Sequence, residues 1–101
     1  MKDTIIIFIH GFYGHVEEFD IIRNYLNNNG YNTHAFTLSG HDKVKLKGVT
    51  RFDWIKDCEK EIEKYRKEYK NIIIIGHSMG GLLASMMASK YKEIIKIILI
   101  A

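Results

Sequence analysis

The sequence predicts an α/β fold: a parallel sheet of about four strands in spatial order 2-1-3-4, with helices on both faces. Three observations predict it. Thr4 to Ile9, Ile72 to Ile75 and Ile94 to Ile100 are nearly continuous apolar runs without polar alternation, the pattern of strands covered on both sides. Between such runs lie segments whose apolar residues recur at helical spacing. The two kinds of segment then alternate along the chain, which is the order of a parallel sheet built with right-handed crossovers.

Taken in order, Thr4 to Ile9 is the first strand, stopped by Gly11, and the loop after it runs Gly11-Phe12-Tyr13-Gly14. From Val16 onward Phe19, Ile22 and Leu26 mark an amphipathic helix, with Gly30 as its left-handed stop. Tyr31 to Leu38 reads as a second, weaker strand. Ser39 to Val49 is polar and aperiodic and reads as a loop lying over the surface.

Thr50-Arg51-Phe52-Asp53 resembles a capping box with Asp53 in the position of the usual Glu or Gln. Behind it Trp54, Cys58, Ile62, Tyr65 and Tyr69 make one apolar stripe on a long, half-exposed helix, its outer face carrying pairs such as Glu63 to Lys67. Cys58 and the aromatics of that stripe are expected in the core. The four isoleucines Ile72 to Ile75 form the third strand, followed by Gly76-His77-Ser78-Met79-Gly80-Gly81 and a helix of small residues, Leu82 to Tyr91. Ile94 to Ile100 is the last strand, expected as a bare sheet edge.

Length and composition bound the possible functions. A chain of 101 residues is one small domain, able to bury roughly 65% of its unfolded surface. With 47% apolar and 27% charged residues it belongs with globular rather than disordered proteins. The net charge of +3 is spread without a basic stripe among stacking aromatics, which argues against nucleic-acid binding. The first apolar run is shorter than the roughly 7–15 residues of a signal peptide and the ~20 of a membrane span. One cysteine leaves no internal disulfide, and a cytoplasmic location is expected.

Chemistry concentrates at Gly76-His77-Ser78-Met79-Gly80, a G-x-S-x-G sequence between a buried strand and a helix start. A serine on so tight a turn is forced into a strained backbone, and the flanking glycines relieve the crowding around it. Ser78 Oγ is then expected to stand clear at the carboxyl end of the sheet as a nucleophile. The N–H of Met79, at the positive end of the following helix, points where an oxyanion would form. A second donor is expected from His10-Gly11-Phe12, where the N–H of Phe12 is the candidate and Gly11 allows close approach.

Strand-His10-Gly11-Phe12, then Leu38-Ser39-Gly40-His41, then strand-Gly76-His77-Ser78-Met79-Gly80-Gly81-helix together resemble the α/β-hydrolase superfamily. The chain looks most like small bacterial carboxylesterases and monoacylglycerol lipases. Ser39-Gly40-His41-Asp42 departs from the family in lacking its proline and second glycine. The resemblance implies Ser78 as nucleophile, Phe12 and Met79 as oxyanion donors, and His10, Gly11, Gly76, His77, Gly80 and Gly81 as motif support. It also implies a catalytic acid and a catalytic histidine after later strands, which are not expected before Ala101. Residues 1–101 are therefore expected to be the N-terminal, nucleophile-bearing part of such a domain, with esterase turnover near background on their own. The rest would come from further chain or from a complementing partner.

The expected reaction is hydrolysis of a small carboxylic ester through an acyl-serine intermediate, without a cofactor; a thioesterase or serine aminopeptidase ranks as an alternative below a non-catalytic truncated hydrolase or interaction module. His10, His41 and His77 are tempting as a base, but His10 and His77 are expected to hydrogen-bond backbone and fix their loops. His15 and His34 are expected to face solvent, and no histidine spacing suggests a metal site. A phosphate-binding loop fails because Leu82 and Leu83 stand where Lys and Ser or Thr are needed. The remaining class is a non-catalytic module, since losing a triad histidine costs about 10⁶ in turnover.

Overall fold

The computed structural model describes residues 2–41 and 48–101. Its four strands are β1 (Thr4–Ile9), β2 (Asn32–Ala35), β3 (Asn71–His77) and β4 (Ile94–Ile100), all parallel, in the order β2-β1-β3-β4. This is the sheet that the sequence predicts. The helices are α1 (Asp20–Asn28), entered through a 3₁₀ turn at Val16–Phe19, α2 (Arg51–Tyr65) and α3 (Met79–Lys90). Among the described residues no helix is long and apolar enough to cross a membrane.

Every residue of β1 is buried, because this central strand has packing on both faces. Its alternate side chains divide the core. Ile5, Ile7 and Ile9 join Cys58 and Ile62 of α2 and Leu83, Ala84 and Met87 of α3 on one side. Ile6 and Phe8 meet Phe19 and Ile75 on the other, with Leu26 of α1 against them. The Phe8 and Phe19 rings lie 5.0 Å apart.

Several element limits differ from expectation. β2 pairs with β1 only over Asn32 to Ala35, so the strand expected from Tyr31 to Leu38 is half that length. The chain then leaves the sheet, because Leu38 donates its N–H to a side chain, His10 Nε2, rather than to a strand. The helix expected at Leu82 begins at Met79 instead, directly after Ser78. Glycines at 80 and 81 weaken helix propensity, but Gly80 is required here by close packing, and tertiary contact overrides propensity. Tyr69 lies past the end of α2, although it still packs partly buried against the core. Glu63 pairs with Arg66 at 3.3 Å rather than with Lys67, since the helix ends at Tyr65.

The capping box forms, with the Thr50 N–H donating to Asp53 Oδ2 at 2.8 Å. Gly30 takes φ 86°, the left-handed stop expected of it. The β3–β4 ladder shifts register between Ile72 and Ile73, leaving Ile95 without a partner on β3. β4 is one of the two edge strands, and Ile95, Ile98, Leu99 and Ile100 are all exposed.

Candidate functional site

The strand register builds the site. Ile9 is paired with Gly76 across β1 and β3, so two residues further on Gly11 and Ser78 leave the sheet side by side. A Cβ on Gly11 would lie 3.1 Å from the Ser78 Cβ and 3.0 Å from the His77 carbonyl oxygen, so only glycine fits between the two loops without displacement.

Ser78 has φ 55° and ψ −117°, a conformation that costs about 1–3 kcal/mol for a residue with a side chain. The surrounding packing enforces it. A Cβ on Gly76 would come within 2.4 Å of the Gly80 carbonyl oxygen, and one on Gly80 within 2.1 Å of the Ile9 carbonyl oxygen. The first turn of α3 is thus pressed against the ends of β1 and β3. Ser78 is exposed, and among the described residues its hydroxyl has no hydrogen-bond partner.

The two N–H groups expected as oxyanion donors belong to residues next to Ser78 and Gly11 in the chain. Met79 is the first residue of α3, where an N–H has no intrahelical acceptor. Phe12 is the second residue of a turn closed by the Gly14 N–H on the Gly11 carbonyl at 2.9 Å, and its N–H has no backbone acceptor among the described residues. Tyr13, third in the turn, has φ 60°.

His10 holds this loop. It is fully buried, and its Nε2 accepts the Leu38 N–H at 3.1 Å, which fixes the proton on Nδ1, where it is donated to the Gly11 carbonyl at 2.8 Å. Burial lowers its pKa below the ordinary histidine range, with the neighbouring His41 adding to the effect. Both nitrogens are committed to backbone, as expected from the sequence.

The segment after β2 is held from the other side. The Ser39 N–H donates to Asp57 Oδ2 at 2.7 Å, and Trp54 Nε1 donates to the Ser39 carbonyl at 2.9 Å. His41 is buried rather than part of a surface loop, its ring 4.8 Å from His10 and 5.6 Å from Trp54. Its Nδ1 faces the Ser39 carbonyl at 3.2 Å, and its buried Nε2 has no partner among the described residues. The rest of the expected loop, residues 42–47, lies outside the described residues.

Two histidines depart from expectation. His77 pairs with a side chain, Glu18 at 3.0 Å, rather than with backbone, because the 3₁₀ turn brings Glu18 to the end of β3. The pair borders a cleft of about 240 Å³ lined also by Phe19, Ile22 and Ile100. His34 is half-buried rather than solvent-facing: its Nε2 lies 2.6 Å from Glu61, and its ring is 4.6 Å from that of Tyr65. His15 is exposed. The structure therefore brings together Ser78, Met79, Gly11 and Phe12. The histidines at 10, 34 and 77 are engaged elsewhere, and His41 is buried behind Phe12.

The family described as "Serine aminopeptidase, S33" matches this chain over residues 1–101. A carboxylesterase of Bacillus subtilis (strain 168) is 31% identical over 85 residues, covering 81% of this chain and 35% of the relative. Among solved structures, a metagenome-derived lipolytic enzyme superposes with a TM-score of 0.88 at 21% identity, over 97% of this chain and 41% of that one. A carboxylesterase of the thaumarchaeon Nitrososphaera gargenis superposes with a TM-score of 0.80 at 26% identity, over 97% of this chain and 37% of its own. The chain spans about a third of the length of the curated relatives it matches.

Proposed function

This chain belongs to the serine aminopeptidase S33 family of α/β-hydrolases, and from that premise we propose that Ser78 is the nucleophile of a hydrolase acting on carboxylic esters. The observation that supports this most directly is the strained, exposed Ser78 at the end of β3, packed against Gly11 of the neighbouring turn. Residues held in strained conformations by the packing around them cluster at active sites.

In this reading Ser78 Oγ attacks the ester carbonyl and its proton passes to a base. The resulting oxyanion is held by the N–H groups of Phe12 and Met79, each worth ~3–4 kcal/mol of transition-state stabilisation. Collapse expels the alcohol and leaves an acyl-Ser78, which water then hydrolyses. An ester is favoured over an amide because the matched relatives include a carboxylesterase and lipolytic enzymes.

The base and its orienting acid are assigned to residues outside this stretch of chain. His10 has no free nitrogen for Ser78. His77 Nδ1 is paired with Glu18. His41 lies buried behind Phe12.

The test is phosphonylation by an alkyl fluorophosphonate, read by intact mass and peptide mapping, with added imidazole as a surrogate base. A single adduct on Ser78 that forms faster with imidazole and is absent in Ser78→Ala is expected. No adduct, or one on another residue, would remove the assignment.

A further inference from the structure

We propose that Tyr13 is a substrate-contacting residue whose ring, together with that of Phe12, forms an aromatic ledge beside Ser78 for the apolar group of the ester. The inference deepens the reading of Ser78 as a nucleophile and rests on it. Tyr13 occupies the third position of the Gly11–Gly14 turn at φ 60°, a conformation that glycine adopts freely and a tyrosine only against steric resistance. Burial does not repay that strain, because Tyr13 is 71% exposed. The exposed ring is what the chain gains by placing tyrosine here.

Position and backing give the ring a purpose. The turn begins at Gly11, whose added Cβ would touch that of Ser78, so the turn stands directly against the serine. The Tyr13 ring meets Phe12 edge-on at 4.3 Å, and Phe12 is itself half exposed. Behind Phe12 stand the buried rings of Trp54 at 5.7 Å and His41 at 5.9 Å, which hold the ledge in place. A fixed, outward-facing pair of aromatic rings offers apolar contact at little cost in conformational entropy.

The apolar group could sit on the acyl or the alcohol side, and isomeric esters separate the two. Trp54 is the sole tryptophan and adjoins Phe12, so its fluorescence reports occupancy. Methyl octanoate and heptyl acetate are titrated against the wild-type chain, Tyr13→Gly and Tyr13→Phe, with melting temperatures recorded alongside. Saturable binding of at least one ester is expected, weakened roughly tenfold in Tyr13→Gly, kept in Tyr13→Phe, and without a fall in the Tyr13→Gly melting temperature. The isomer bound more tightly identifies the acyl or the alcohol side. Equal binding by wild type and Tyr13→Gly, or no saturable change in wild type, overturns the ledge. Phosphonylation of Ser78 is measured separately, so loss of the ledge with Ser78 still reactive indicts Tyr13 alone, whereas an unreactive Ser78 indicts the hydrolase reading.

Discussion

The backbone N–H of Ser78 donates to the carbonyl oxygen of Ile100 at 2.8 Å. The end of β4 therefore anchors the residue on which the proposed chemistry depends. Between that anchor and the glycines around it, Ser78 is held in a conformation it would not choose.

Replacing Ser78 by glycine should release that strain. Ser78→Gly is expected to stabilise the chain by about 1 kcal/mol, a rise of roughly 4–8 °C in melting temperature for a domain of this size. Ser78→Ala keeps a Cβ at φ 55° and should leave the melting temperature nearly unchanged. A lower melting temperature for the glycine variant would contradict the strain.

The glycines should differ sharply among themselves. Gly80→Ala puts a Cβ 2.1 Å from the Ile9 carbonyl oxygen, a clash with backbone that should cost about 3 kcal/mol or prevent folding. Gly30→Ala meets nothing within 4 Å and should cost only about 1 kcal/mol, through its φ of 86°. Urea denaturation of both variants checks the ranking.

Stability should depend on His10 near neutral pH. Its folded pKa lies below the unfolded value of about 6.5, so the unfolded chain takes up its proton first. The contribution is fully present above that value and is lost as pH falls toward the lowered folded pKa. Glu93, held low by Arg66 at 2.8 Å, loses its contribution only at lower pH, below the ordinary carboxylate range. Urea midpoints between pH 8 and pH 5, about 1.5 units either side of the reference histidine pKa, should fall in wild type. They should fall less in His10→Asn, which is destabilised throughout.

Cys58 should be silent in the native protein. Burial, reinforced by Asp57, Glu59 and Glu61, pushes its thiol up to about 12, and the residue is fully buried. A disulfide reagent at mildly alkaline pH should label it only after denaturant is added. Rapid native labelling would show that α2 opens readily.

The edge of the sheet should govern solubility. Ile98→Lys places a charge on the exposed edge strand, where it should reduce self-association while changing stability by less than about 1 kcal/mol. Light scattering across a concentration series gives the comparison.

Much of this architecture was legible because its signals are local. β1 and β4 have the limits that their isoleucine runs predict, and the parallel sheet follows from the alternation of runs and helical segments, while its strand order is the one the family resemblance implies. The start of α3 was not legible, since Gly80 and Gly81 are poor helix formers and the close approach of Gly80 to Ile9 lies outside any local pattern. The partners of His34 and His77 were hidden for a similar reason: Glu61 and Glu18 lie 27 and 59 residues away in the chain.

The sequence by itself determined the sheet, the family and the identity of the candidate serine, because buried runs and glycine spacing are written in consecutive residues. Only the tertiary structure decided which groups surround that serine. The pairing of Ile9 with Gly76 brings Gly11 and Phe12 beside it, and the two backbone hydrogen bonds of His10 remove a tempting base from consideration. Those relationships depend on register and packing between distant segments, which no local pattern encodes.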